Sequence, residues 1–181
     1  MTKRKIGELE QRLREVEGER ELRAALAAEE PLEEELLELL QSRSGRISDA
    51  AAKKLREPQH VLGLIRALAD GRIRRAEGRR SGIWALNILG RKYPGAAEAY
   101  LALIGDKDDV VAENALFGLV FLLEPRAIDG IEAEMSRPHS AERRESYQQA
   151  LEALKAKDPF KYAPGFSDEA NVWGWKDKKH K

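Results

Sequence analysis

The feature of the sequence that most constrains its fold is a repeated Ala-Leu pair that is followed by a proline. The pairs are Ala85-Leu86, Ala115-Leu116 and Ala150-Leu151, spaced 30 and 35 residues apart. Each pair is followed eight or nine residues after its leucine by Pro94, Pro125 or Pro159. Repeats of about 20–50 residues are typical of stacked helix pairs, because one pair alone cannot bury its apolar face. The sequence therefore predicts an all-α repeat protein.

The segments around these pairs align as well. Residues 94–104 match residues 125–135, and a weaker copy of the unit precedes them over residues 48–68. Small residues recur where neighbouring helices would approach closely, at Ala85, Ala115, Ala150 and Gly118. Asp106 and Ser140 are candidate N-caps, because each offers an oxygen to unpaired backbone N–H groups. We expect about four helix pairs in a repeat domain over residues 44–158.

Residues 1–43 precede the repeats and are predicted to form charged helices. Ile6, Leu9, Leu13 and Val16 have the spacing of a coiled-coil seam, which predicts weak self-association through this segment. Gly18 and the charges after it interrupt the seam before it reaches the three or four heptads of a coiled coil. A charged, partly frayed leading helix is the simpler interpretation.

Residues 159–181 form an aromatic tail that ends in a basic stretch. Prolines and glycines exclude a long helix there, yet five of the eleven aromatic residues of the chain lie in its last 22 residues. A stacked repeat needs its terminal unit covered, so we expect Phe160, Phe166 and Trp173 to pack over the last helix pair. The alternative is that Trp173 and Trp175 belong to a binding site, since Trp is enriched at interface hot spots.

The repeat unit, an acidic turn, a helix over residues 108–116 and a second helix begun by Pro125, resembles a HEAT repeat. Its period of about 31 residues is shorter than the 40–47 of standard units and is similar to the short bacterial HEAT-like repeats of the phycobilin-lyase type. The resemblance covers roughly residues 47–158 and implies a right-handed α-α superhelix. Such repeats serve as scaffolds, inhibitors, lyase subunits and, in one bacterial family, DNA glycosylases, so the fold does not specify the function.

The composition excludes several kinds of chemistry. The chain has no cysteine, which excludes disulfides, thiolate metal sites and a Cys nucleophile. His60 and His139 each lie within two residues of a proline, near predicted helix starts, and are interpreted as capping or surface residues. No metal-binding, triad or phosphate-loop motif accompanies them. We therefore expect no enzymatic activity, no metal and no cofactor. With no leader and no apolar span, we also expect a cytoplasmic protein without a membrane contact.

The net charge of zero hides uneven bands. Residues 1–40 carry seven Lys and Arg against twelve Asp and Glu, whereas residues 41–80 carry eleven against four. The basic band ends in a run of arginines, which are Arg72, Arg74, Arg75, Arg79 and Arg80. Three interpretations stay open: pairing with the acidic segments 29–38 or 106–113 of the same chain, contact with an acidic partner protein, or contact with nucleic-acid phosphates.

The predicted second helices carry the opposite charge. Glu98, Asp129, Glu132 and Glu134 would make the concave side of a HEAT-like stack acidic, which disfavours nucleic acid there. Trp84 on a first helix is expected in the core, as large aromatic residues usually are. Asn87 and Asn114 are expected to hydrogen-bond backbone between repeats.

Together these features favour a non-enzymatic module that binds another protein, as a rigid scaffold or inhibitor. The candidate binding residues are the five arginines, the acidic Glu98, Asp129 and Glu132, and Trp173 and Trp175. An immunity-type protein that blocks a cognate toxin is one specific form of this hypothesis. The alternative is a nucleic-acid-binding protein similar to the HEAT-like DNA glycosylases.

Overall fold

The computed structural model describes residues 3–89 and 92–163, and within these ranges it contains ten α-helices and no strand. The helices are α1 Lys3–Glu15, α2 Glu19–Ala28, α3 Glu33–Leu40, α4 Gly45–Leu55, α5 Val61–Ala69, α6 Ala76–Leu89, α7 Ala97–Leu103, α8 Asp109–Leu122, α9 Ala127–Met135 and α10 Ala141–Ala156. Two 3-10 turns, Pro94–Ala96 and Pro159–Lys161, precede α7 and follow α10. The all-α prediction is confirmed for these residues.

The chain divides into two compact units, residues 1–85 and 86–181. The boundary falls inside α6, which no break in the sequence pattern marks. No helix in the described part of the chain is long and apolar enough to cross a membrane.

In the first unit, α4 packs against α2, α3 and α5, and α1 contacts α2, α3 and α4. The core is aliphatic; its fully buried side chains include Leu36, Leu40, Ile47, Leu55 and Leu64. This agrees with the absence of aromatic residues before Trp84. Burial of each such side chain contributes about 1.5–3 kcal/mol to folding.

The leading segment is two helices, where the sequence predicted one. Gly18, whose φ of 81° favours glycine, lies in the break between α1 and α2. Leu9 and Leu13 of the predicted seam are buried in this unit, as are Leu22 and Leu26 of α2. The central leucines of the seam therefore pack against their own unit, so the surface expected for self-association is largely covered.

In the second unit, α8 packs against α7 and α10, and α10 also contacts α9 and the turn after it. Gly118 allows the close approach of α8 to α7, because a Cβ there would lie 2.5 Å from the Tyr100 ring. The expected role of Gly118 at a tight helix contact is confirmed. Phe160 is half-buried and meets Phe121 of α8 edge-on at 6.0 Å, so the start of the tail contacts this helix. Phe166, Trp173 and Trp175 lie outside the described residues.

The turns repeat together with the helices. Leu123 and Lys157 both end their helices with φ of 53°, and each is followed by an acidic residue and a proline. The acidic side chains, Glu124 and Asp158, accept backbone N–H bonds from Arg126 and Phe160. A residue in the left-handed region, followed by an acidic residue that caps the next turn, thus ends both α8 and α10.

The two predicted N-caps have different outcomes. Ser140 caps α10, because its Oγ accepts the Arg143 N–H at 3.2 Å. Asp108 caps α8 in place of Asp106, by accepting the Val111 N–H. Asp106 instead accepts the N–H of Asp108 at 2.9 Å and shapes the turn before the helix.

Candidate interaction surface

The five arginines predicted to form one basic edge differ in burial and in their partners. The side chain of Arg72 is half exposed and pairs with Glu34 on α3, which agrees with the interpretation that pairs this run with the acidic segment 29–38. The exposed Arg74 is anchored through its backbone N–H, which donates to the Gln41 side chain at 2.9 Å. Arg75 lies 3.3 Å from Glu77.

Arg79 is buried, with 8% of its surface exposed, and does not project as expected. Its Nη1 donates to the carbonyl oxygen of Arg74 at 2.6 Å and to that of Ile73 at 3.4 Å. These carbonyls belong to the turn between α5 and α6, so Arg79 holds that turn. Arg80, the next residue, lies on the exposed side of α6.

Trp84 lies four residues after Arg80 on the same exposed side, and 46% of its surface is accessible. The prediction of a core tryptophan is therefore wrong. Helix α6 buries Ile83 and Leu86, which flank Trp84 in sequence but point to the other side. The sequence did contain one indication that Trp84 is exposed. Trp84 follows the charged Arg80 by four residues, and residues four apart share a helix face.

Arg56, immediately after α4, lies over the Trp84 indole with its guanidinium carbon 6.0 Å from the ring centroid. A cation at this distance is attracted to the ring face by about 0.5–1 kcal/mol. Partial burial lowers the pKa of Arg56 below its usual value, although the group stays charged at neutral pH. The sequence placed Arg56 in the basic band but gave no sign of this pairing.

Hydroxyl groups connect the two helices that carry this pair. Ser81 on α6 donates to the Asp49 carboxylate on α4 at 2.6 Å, and the Ser48 and Ser81 hydroxyls lie 3.2 Å apart. Ser48 in turn donates to the carbonyl oxygen of Leu40 at 2.8 Å. These bonds set α4 beside α6 and thereby bring Arg56 next to Trp84. We call Arg56, Trp84 and the exposed side of α4 and α6 around them the α4–α6 face.

The four acidic residues predicted on the second helices lie in the second unit, and three of them are paired. Glu134 is buried, so it does not contribute to an acidic surface as expected. Glu98 on α7 binds Arg126 at 2.7 Å, and Glu132 on α9 binds Lys155 at 2.9 Å. Asp129 is exposed on α9 without an ion pair to any described residue. Hydrogen bonds to Glu124 and Glu98 raise the pKa of Arg126. The charge expected on this side is therefore partly neutralised within the unit.

A buried network around Arg143 was not predicted. Arg143 donates to the carbonyl oxygen of Asp106 at 2.6 Å, to the Asp109 carboxylate at 2.8 Å and to the Tyr147 hydroxyl at 3.1 Å. Tyr147 donates to the carbonyl oxygen of Ile104 at 2.7 Å. Arg143 and Tyr147 on α10 thus satisfy carbonyls where α7 ends, which no sequence spacing indicated.

The histidines differ from their predicted surface or capping roles. His60 stands at the N-cap position of α5 without a side-chain cap bond. His139 is largely enclosed, with its Nε2 3.4 Å from the buried carboxylate of Glu134. Arg137 binds the other oxygen of that carboxylate at 2.6 Å. Among the described residues no three His, Asp or Glu side chains gather as metal ligands would.

The bond expected of Asn87 is confirmed in the second unit, whereas the Asn114 side-chain amide donates to the carbonyl oxygen of Val110 on its own helix. The Asn87 side-chain amide donates to the carbonyl oxygen of Asn114 at 3.0 Å, which joins α6 to α8. The sequence separation of this contact is 27 residues, and that of Arg143 with Asp109 is 34. In the first unit Ser81 and Asp49 are 32 residues apart. Within each unit, polar contacts therefore join alternate helices at about the predicted period.

Comparison of the chain with models of protein families, with curated proteins and with solved structures gave no match in any of the three. The resemblance to short HEAT-like repeats remains a prediction, and the function must be inferred from the residues described above.

Proposed function

We propose that this chain is a non-enzymatic helical-repeat module that binds another protein. The observation that carries the proposal is Trp84, the largest apolar side chain exposed among the described residues, with Arg56 against its ring. Trp and Arg are the residue types most enriched at the energetic centres of protein interfaces. An indole left in water, with the exposed Ile88 one turn further along α6, is best explained by a partner that covers it.

Two further features support this proposal. The period of about 31 residues and the polar contacts at matching separations agree with a HEAT-like stack, and repeat stacks offer extended surfaces for binding. The basic band that contains the α4–α6 face would attract an acidic partner. A protein that inhibits its partner, of the immunity type that blocks a cognate toxin, is the specific form we propose to test first, in the cytoplasm of a bacterial host.

The test is an affinity purification from the host that encodes the chain. The tagged wild type, Trp84→Ser and the matched control Arg66→Gln, an exposed residue of α5, serve as baits in extract with and without nuclease. We expect a protein that is enriched by the wild type and the control, depleted with Trp84→Ser and indifferent to nuclease. Enrichment that disappears with nuclease would contradict the proposal and support the nucleic-acid alternative.

A further inference from the structure

Arg56 combines partial burial with the absence of a hydrogen bond or ion pair to any described residue. A guanidinium that is partly withdrawn from water and fixed against a ring is well placed to bind a carboxylate, because a charge-assisted hydrogen bond is stronger where water competes less. The acid next in sequence, Glu57, is already engaged by Lys54 at 2.9 Å and by Gln59 at 2.7 Å. The described part of the chain therefore supplies Arg56 with an aromatic ring but with no anion.

The other charges on this side of α4 are already paired. Lys53 binds Glu19, Lys54 binds Glu57, and the Asp49 carboxylate accepts from Ser81. A run of nucleic-acid phosphates requires several unpaired cations in a row. A guanidinium beside an indole matches a carboxylate next to an apolar group, because its planar fork binds two carboxylate oxygens at once.

Resting on the proposed function above, we propose that Arg56 and Trp84 receive one Asp or Glu of the partner protein together with the apolar residue beside it. The carboxylate binds the edge of the Arg56 guanidinium, and the apolar side chain covers the exposed part of the indole. The ring of Trp84 already holds the guanidinium in place, so little side-chain entropy is lost on binding. Ser81 and Asp49 keep the two helices at the spacing that the pair requires.

The probe is a short peptide with blocked ends in which one Glu lies between two leucines, with a matched peptide that carries Gln instead. Binding is followed by the indole N–H resonance of Trp84 in a two-dimensional NMR spectrum of the full chain. The Trp84→Phe variant assigns that resonance, because its peak is missing there. We expect a saturable shift with the Glu peptide at a dissociation constant of about 1 mM or below, and at least about tenfold weaker binding of the Gln peptide.

Two variants and a matched control locate the carboxylate. Arg56→Gln should weaken binding of the Glu peptide about tenfold or more, and Arg56→Lys should retain part of it by keeping the charge without the planar fork. Arg66→Gln removes an exposed arginine of the same basic band and should change nothing. Thermal unfolding of each variant separates loss of binding from loss of fold.

Two results would overturn this assignment: equal binding of the Glu and Gln peptides, or unchanged binding in Arg56→Gln. If the affinity purification still captures a protein with Arg56→Gln and Trp84→Ser, the module binds through another surface, so this site fails while the proposed function stands. Tighter binding of a single-stranded oligonucleotide than of the Glu peptide, lost in Arg56→Gln, would overturn both.

Discussion

Arg143 shows at the scale of one residue how much a buried charge can stabilise when its hydrogen bonds are satisfied. We expect Arg143→Met to lower the free energy of unfolding by about 2–4 kcal/mol, because bonds to the carbonyl of Asp106 and the carboxylate of Asp109 are lost. Urea unfolding measures this change. The exposed neighbour Arg144, changed to Met, is the matched control, and an equal loss in both variants would contradict the role of the network.

For Tyr100 we predict that substitution stabilises the chain, in contrast to Arg143. The hydroxyl of Tyr100 is buried without a hydrogen-bond partner among the described residues. Tyr100→Phe should raise the free energy of unfolding at pH 7 by about 1 kcal/mol, since the cost of burying an unpaired hydroxyl disappears. Burial also raises the pKa of Tyr100. Above the unfolded pKa of about 10 only the unfolded tyrosine ionises readily, so wild-type stability must fall as pH rises there.

Unfolding at pH 7 and between about pH 9 and 11 tests both parts of this prediction. Tyr100→Phe should lose less stability with rising pH than the wild type, because the buried hydroxyl that resists ionisation is absent. A Tyr100→Phe variant that is less stable at pH 7 would show that the hydroxyl makes a stabilising contact.

Residue-scale prediction from the sequence failed where a side chain could face either way. Trp84 was expected in the core by its type, yet its position on α6 places it opposite Ile83 and Leu86. Arg79 was expected to project because its neighbours are arginines, yet it binds the carbonyls of the preceding turn. Residue type alone does not encode which side of a helix faces the core; neighbouring helices decide it.

At the scale of helices, the contact between α7 and α8 depends on Gly118. We expect Gly118→Ala to lower the free energy of unfolding by about 1–3 kcal/mol, because the added methyl group overlaps the Tyr100 ring. Gly95→Ala is the matched control, since nothing lies within 4 Å of a Cβ there. In a Tyr100→Leu background the cost should shrink, and a double-mutant cycle measures the difference. If Gly118→Ala costs as much stability in the Tyr100→Leu background as in the wild type, the strain does not come from overlap with the Tyr100 ring.

Helix boundaries were predicted best where local chemistry sets them. Ser140 and the proline-marked turns follow from capping and from the fixed φ of proline, both of which are readable in the sequence. The sequence predicted Asp106 as the N-cap of α8, whereas Asp108 has this role in the structure. Both residues are aspartates near the helix start, so residue type did not distinguish them. The break at Gly18 was visible as an interruption of the seam, but only packing of α1 and α2 on α4 makes it two separate helices.

At the scale of the whole molecule, the repeat pattern predicted the all-α class, which the structure confirms for the described residues. It did not predict the division into units 1–85 and 86–181, because the dividing residues lie within a continuous helix. The charge bands were countable in the sequence, but the ion pairs that neutralise Arg72, Glu98 and Glu132 depend on neighbouring helices.

The measurement that tests the central claim most directly is the affinity of the purified chain for the protein it captures, by titration calorimetry. We predict that Trp84→Ser and Arg56→Gln each weaken the complex by about thirtyfold or more, as truncation at an interface centre does, while Arg66→Gln leaves the affinity unchanged. Thermal unfolding of all three variants should stay close to that of the wild type. An affinity that is unchanged in both Trp84→Ser and Arg56→Gln would contradict the account.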